Sequence, residues 1–475
     1  MVLRGKSTQK TIYWQKERNM LVAFSVENYR SFKGRVTLSM VGAELSSKPK
    51  ELDSTNVFQA RDDLRLLTSA AIYGANASGK SNLVAAINFM RSYVLNSSRE
   101  SILRQPVNVI PYRLSTETEK ASSRFEIVFV QQRVIYRYGF LISRRQVEEE
   151  WLYAATGKKE GYLFERTLGA IKVNDRTFKE GHDLQERTRP NALFLSVAAQ
   201  WNGKRAAKIL EWFEQLTVNT GVDDRTAQRR EAGRYESDKL PLETVEFVRG
   251  LDLGIDDILI DRDPPQEVSL RTSDGGTRLT TVPGSIRIRT AHSKYDGKGD
   301  FIEAELFDLF TNESQGTRRL FTLAEPILNA LRTGTILIID ELDARLHPIL
   351  TCEIIRLFNT PQTNPRHAQL IFTTHDTNLL GSELFRRDQI WFVEKSRRGE
   401  STLYSLVEYK PRNDAAYEKH YIEGRYGAIP YLGALGAAIG VVNAEPANIE
   451  ADIEAEAGSE LDDSNVSPAT GGDKG

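Results

Sequence analysis

The stretch IYGANASGKS, residues 72–81, constrains the fold more than any other part of the chain. Gly74 and Gly79 bracket four residues and Lys80-Ser81 follow at once, which is the spacing of a phosphate-binding loop. Such a loop works between a buried strand and a helix N-terminus, and both flanks comply. SAAIY before it is a short apolar strand, and after Lys80 the residues Leu83, Ile87, Met90 and Val94 recur on one helix face. The amides of Ala77 to Lys80, helped by the helix dipole, are expected to cradle phosphates. Lys80 is expected to reach the β and γ phosphates and the Ser81 hydroxyl to ligate Mg²⁺. Gly74, Asn76, Ser78, Gly79 and Asn82 complete the expected nucleotide contacts. A glycine-rich turn that merely caps a helix is the competing account.

A second constraint lies far downstream. From Thr335 the pattern runs strand, helix, strand, helix, strand: TILIID, PILTCEIIRLF, QLIFTTH, TNLLGSELF, QIWFVEK. That rhythm predicts an α/β fold with parallel sheet and crossover helices. Ile336 to Ile339 suit a strand buried on both faces, which places Asp340 and Glu341 at its carboxyl end, where such sheets hold ligands. Asp340 is expected to hold Mg²⁺, mostly through water, and Glu341 to orient the attacking water. A pair that only caps the next helix is weak once the phosphate loop is present. His375 closes the following strand and is expected to donate a hydrogen bond to the γ phosphate.

Elsewhere β-character comes early. SRFEIVFV and RVIYRYGFLI, separated by two glutamines, suggest a hairpin; AAKILEWFEQL and LETVEFVRGLDL have helical spacing, and GSIRIRTAHS alternates as a strand does. Residues 1–19 are basic and polar and read as a disordered extension, with Met20 as an expected functional start. Residues 431–475 read as a short helix and an acidic, disordered tail. Between them lie the expected halves of one head, 20–200 and 306–430, and an inserted helical and mixed lobe, 201–305. The formal net charge of -2 gives no global attraction to nucleic acid. One cysteine, Cys352, excludes an internal disulfide framework and a cysteine-rich zinc site. No apolar run approaches the roughly 20 residues a bilayer needs, and a cytoplasmic location is expected. The basic stretch Arg229 to Arg234 and the glycine-punctuated YIEGRYGAIP are weak as nucleic-acid signals; the latter reads better as a loop packed on the core or docking a partner.

GANASGKS, ESQGTRRL (residues 313–320), IIDELDARLHP and TTH, in that order, resemble the ATP-binding-cassette class of heads shared by SMC and RecF proteins. NALFLSVAAQWN, LDLGIDDI, RRDQIWFVEK and YIEGRYGAIP look like the stand-alone bacterial ATPases of the AAA family, many of them from anti-phage or abortive-infection systems. The resemblance covers most of residues 20–430. It implies an ABC-class P-loop head with a β-rich N-terminal lobe, in which two ATP molecules are sandwiched between two heads. Ser314 and Gly316 would then contact the partner's γ phosphate, and Asp343, Leu346 and His347 would communicate across the dimer. By the same analogy Asn28 and Arg30 would lie near the nucleotide. Gln105 and Gln200 are both candidates for the family's glutamine loop, with nothing to separate them.

Two functions emerge as expectations, beside a third, non-enzymatic reading in which ATP is a structural ligand that holds an assembly together with little turnover. The first is a slow or triggered ATPase, a dimeric or larger homo-oligomeric switch controlling a separate effector, such as a nuclease, in anti-phage defence, with a phage protein as trigger. The second is a DNA-binding repair or chromosome-maintenance head, which requires a basic channel that the composition does not favour and whose SMC version requires a heptad arm that the chain lacks.

Overall fold

The computed structural model describes residues 19–99, 106–221, 240–251, 254–262, 266–271, 277–282, 286–413 and 415–430. Residues 1–18 of the expected extension and the expected tail, 431–475, lie outside the described residues. Contacts divide the chain into two units, Met1–Ile429 and Pro430–Gly475. The first layer of the larger unit is a seven-stranded antiparallel sheet, ordered β10-β9-β8-β7-β6-β1-β2. The strands are β1 (Asn19–Glu27), β2 (Val36–Ser39), β6 (Ser123–Gln131), β7 (Val134–Ile142), β8 (Val147–Ala155), β9 (Gly161–Thr167) and β10 (Ala170–Val173). The expected hairpin is β6–β7, but its turn is Gln132-Arg133, both at positive φ, and Gln131 still pairs with Val134. Positive φ at both turn residues matches the right-handed twist of the strands, even though neither residue is the usual glycine or asparagine.

The second layer is a six-stranded sheet in the order β11-β17-β18-β5-β19-β20. It comprises β5 (Ser69–Tyr73), β11 (Thr217–Asn219), β17 (Ile336–Ile339), β18 (Gln369–Thr373), β19 (Ile390–Lys395) and β20 (Ser401–Ser405), all parallel except β20. Both faces are covered, and the two-residue period of the strands sorts their apolar side chains between two cores. Ile336, Ile338 and Ile371 join Phe24, Phe125, Phe129 and Trp212 in the core shared with the antiparallel sheet. Leu337, Ile339, Leu370 and Phe372 point the other way. The first face carries helices α1 (Lys80–Asn96), α2 (Phe194–Gln200) and α3 (Lys204–Gln215). Helix α3, the opening of the lobe expected over 201–305, gives Ile209, Trp212 and Phe213 to this large core.

A smaller core gathers α4 (Leu242–Arg249), β12 (Asp257–Arg262) and β15 (Ile286–Tyr295) against one side of α5 (Gln315–Thr333). Strand β15 is central between β12 and β16 (Phe301–Asp308), leaving β16 as an edge. Strands β13 (Gln266–Arg271) and β14 (Thr277–Val282) pair only with each other, as do β3 (Val57–Arg61) and β4 (Leu64–Leu67). Helices α5 and α6 (Pro348–Asn359) cover the second face of the parallel sheet through Leu320, Ile327, Ile355 and Phe358. After His375 the expected helix shrinks to one turn, Asn378–Gly381. The last helix, α7 (Tyr417–Ile422), lays Tyr421 against Tyr73 and Phe392, so YIEGRYGAIP packs on the core.

The two large sheets are joined by a buried side chain. Gln369, at the start of β18, accepts from Leu21 N at 2.6 Å and donates to the carbonyls of Leu21 and Leu67 at 3.1 Å. It does so where the β1–β6 register slips between Leu21 and Ala23, satisfying backbone groups the bulge would otherwise strand.

Candidate functional site

The site forms along the carboxyl edge of the parallel sheet, where β5, β18 and β17 end side by side. At the end of β5 the loop turns on residues in the left-handed region: Gly74 at φ 154°, Ala77 at 62° and Gly79 at 119°. A Cβ at Gly74 would sit 2.3 Å from the carbonyl oxygen of Val393, and one at Gly79 2.5 Å from Ser401 Oγ and 2.8 Å from Ser31 Oγ. Glycine is therefore needed at both for conformation and for space. Ser401 braces the loop by donating its hydroxyl to the Ser78 carbonyl and its N–H to Ser31 O at 2.7 Å. Ser78 Oγ is buried without a protein partner, which is the state of a donor that a bound group would satisfy. Asn76 and Ser81 are exposed.

Lys80 opens α1 yet is only 5% exposed. Its ammonium folds back on the carbonyls of Gly74 (2.7 Å) and Ala75 (3.1 Å). Burial lowers its pKa to about 8, against the pull of Asp340, Glu341 and Asp343, which favour the charged form. Those carboxylates are thus electrostatic neighbours of the lysine, although they lie some 260 residues away in sequence.

Strand β18 lies between the lysine strand and the carboxylate strand, with Thr373 in register with Ile72 and Phe372 with Ile339. Its last residue ties the carboxylate corner together. Thr373 Oγ1 donates to Asp340 Oδ1 at 2.6 Å and accepts from Glu341 N at 2.7 Å. Asp340 is buried, and its own N–H is held by Asn219 O of β11 at 2.9 Å. Glu341 adopts φ 51°, in the left-handed region that residues other than glycine seldom take. The backbone N–H of His375 donates to Asp343 Oδ2 at 3.2 Å. Burial, then the charge of Lys80, keep its imidazole below the ordinary value despite Asp343, Glu341 and Asp340. The neutral ring, which can donate one N–H, is thereby favoured.

Helix α5 adds a third component. Ser314 is its N-cap, accepting from Thr317 N at 3.1 Å, and Ser314 and Gln315 are exposed. Gly316 lies against the Arg345 carbonyl, which a Cβ would approach to 2.9 Å. Arg319, buried one turn on, donates to the carbonyls of Asp340 and Glu341, both at 3.2 Å. His347 caps α6 through Nδ1, 3.3 Å from Ile349 N.

The remaining expected residues divide. Arg30 donates to Asn82 Oδ1 at 3.3 Å, and Asn82 to Ser31 Oγ at 2.8 Å, so both stand beside the first turn of α1. The Asn28 amide contacts other loops instead: it donates to the carbonyls of Thr118, Ala121 and Ser122 and accepts from Tyr112 N. Gln200 is exposed at the end of α2, while Gln105 and the basic stretch Arg229 to Arg234 lie outside the described residues. Sequence reading missed Ser31, Asn219, Arg319, Thr373 and Ser401, all of which brace catalytic candidates. Thr373 lies in the TTH motif that drew attention to His375 and Arg319 in the quoted ESQGTRRL stretch, which drew attention to Ser314 and Gly316; the other three carry no spacing signal.

Among the described residues no helix is long and apolar enough to cross a membrane. A comparison with curated proteins returns no match. The family described as AAA domain, putative AbiEii toxin, Type IV TA system matches residues 69–381, from the first residue of β5 to just beyond His375. That span is more than half of the chain and includes the phosphate loop, α5 and the Asp340-Glu341 corner. The chain therefore belongs to this family of AAA-domain proteins.

Proposed function

We propose that this protein binds and hydrolyses ATP with Mg²⁺, and that nucleotide-dependent pairing of two heads switches a separate effector, with anti-phage defence as the setting. The observation that carries this reading is the meeting of Lys80, Asp340, Glu341 and His375 on adjacent strand ends. The family's general nucleotide hydrolysis and the toxin–antitoxin wording of its description support the chemistry and the setting respectively.

The residues present suit the ligand. The Lys80 and Ser81 amides precede the first helical bonds of α1, which Asn82 and Leu83 make to the Gly79 carbonyl, Ser78 Oγ is an unused buried donor, and Lys80 holds its charge close by. Ser81 and Asp340 would hold Mg²⁺, which supplies charge neutralisation on the phosphates. Among the described residues no group of three or more His, Cys, Asp or Glu could bind a metal alone, so water and phosphate oxygens would complete its shell. Lys80 leaves the loop carbonyls for the β and γ phosphates. Glu341, held by Thr373 and Arg319, orients the attacking water and takes up its proton. Neutral His375 donates to the γ phosphate. The N-terminus of α5, with exposed Ser314 and half-buried Gly316, serves the nucleotide of the second head.

Lys80→Ala is expected to abolish ATP binding. Glu341→Gln is expected to keep binding, lower turnover about 10²-fold or more, and accumulate an ATP-dependent pair on size-exclusion chromatography. Normal steady-state turnover by Glu341→Gln would remove that residue from its role. Capturing the trapped variant from its host with ATP and Mg²⁺, with and without nuclease, tests the switch. A stoichiometric, nuclease-resistant protein supports an effector; nucleic acid alone favours a DNA clamp.

A further inference from the structure

Glu313, the residue before the Ser314 cap, is held from two sides. Its side chain is nearly buried and turns toward strand β15, where Oε1 accepts from Thr290 Oγ1 and from His292 Nε2, the latter at 2.6 Å. A carboxylate only accepts, so the histidine's Nε2 carries the proton. The His292 ring is packed in turn on Phe307 of β16, centroids 4.7 Å apart. On the other side, the Glu313 carbonyl accepts from Arg318 Nε at 3.0 Å and Nη2 at 2.7 Å. The next turn of α5 then reaches the carboxylate corner, with Gly316 on the Arg345 carbonyl and Arg319 on the carbonyls of Asp340 and Glu341. A continuous set of hydrogen bonds and packing contacts thus runs from the small lobe to that corner.

We infer that His292, assisted by Thr290, is a positioning residue for the ATPase: by fixing Glu313 it sets how the first turn of α5 meets the Asp340-Glu341 corner and a second head. The inference rests on the proposed ATPase reading and adds to it a control point on the lobe, outside the phosphate loop and its braces. Without the imidazole, the Glu313 carboxylate keeps one side-chain donor in a nearly dry site and gains by swinging toward water. The first turn of α5 follows it, while the phosphate loop, built on other strands, does not.

The test uses the full chain and three readouts: binding of a fluorescent ATP analogue, steady-state ATP turnover, and ATP-dependent pairing in the Glu341→Gln background. His292→Ala is expected to bind the analogue within about twofold of the parent, turn over about tenfold more slowly and pair at least tenfold more weakly. His292→Gln, which keeps an N–H donor, is expected to recover most of both losses; a merely space-filling role would not distinguish the two. Thr290→Val, nearly isosteric, removes the other donor and is expected to show a smaller loss of the same kind, which keeps the test open should His292→Ala fail to fold. Parental turnover and pairing in His292→Ala, or in Thr290→Val where the alanine variant does not fold, would overturn the inference while leaving the ATPase reading intact. A parent chain that neither hydrolyses ATP nor pairs with it would overturn both.

Discussion

Lys80 spends its ammonium on two loop carbonyls while burial lowers it to about 8. Near pH 8.5 much of the population therefore holds a neutral amine. Phosphates brought beside it would favour the charged form, so binding of a nucleotide there is expected to take up protons between about pH 8 and 10.5, and almost none at pH 7. Calorimetry at pH 8.5 in two buffers of different ionisation heat is expected to give different apparent enthalpies. Identical enthalpies there would contradict the linkage. Thr373 makes a second prediction. Replacing it with Val keeps shape and β-propensity but removes the hydroxyl between Asp340 Oδ1 and Glu341 N. Turnover is expected to fall roughly 10–100-fold, the usual cost of losing a supporting hydrogen bond at such a site, with analogue binding retained; an unchanged rate would make the bridge incidental. The catalytic candidates themselves were legible because short local motifs hold them. Thr373 was not, since only the β18 register shows which threonine of TTH reaches the carboxylates.

Among the elements, α2 shows how a helix end can be capped from elsewhere. It has no side-chain cap of its own; instead the fully buried Glu150 of β8 accepts from Phe194 N at 2.7 Å, Leu195 N at 3.0 Å and Tyr138 Oη at 3.0 Å. Burial pushes this carboxyl up, against the nearby Arg166 and the two amides. Glu150→Ala leaves those donors and Arg166 without their acceptor in a dry interior, and is expected to cost about 3–5 kcal/mol, read as a lower denaturant midpoint. A midpoint unchanged from the parent would show that water replaces the carboxylate. Strands and long helices were readable from periodicity, because burial on one or two faces imposes it. What periodicity does not carry is partnership: nothing in NALFLSVAAQWN announces that its cap is Glu150, and nothing in TNLLGSELF shows that the helix stops after one turn.

For the whole molecule, sheet order was the least legible property. Alternating strands and helices foretold a parallel sheet, but not that β18 inserts between β5 and β17. Nor did they show that β11, remote from the motifs, would hold the Asp340 amide. Edges were equally invisible. Strand β16 is exposed along almost its whole length, with Phe301 and Ile302 more than half exposed, and its charges Glu303 and Glu305 pair with Lys294 at 2.9 and 3.2 Å. Charges on an edge strand discourage pairing with another edge. Glu303→Val with Glu305→Val is expected to produce concentration-dependent self-association on light scattering without nucleotide, and a monodisperse double variant would assign that protection elsewhere.

The order of the central sheet also has a consequence in time. Strands β1 and β2 and β6 to β10 are all complete by Val173, so the antiparallel layer has its full set of strands early. The phosphate-loop strand does not: Ser69 waits for Leu370 and Ala71 for Ile390. At about 5–20 residues per second that is roughly 15–60 s on the ribosome. A growing chain thus carries its lysine and glycines long before it has the neighbours that shape them, and the loop's surroundings are complete only once β18, β19 and Ser401 have been made.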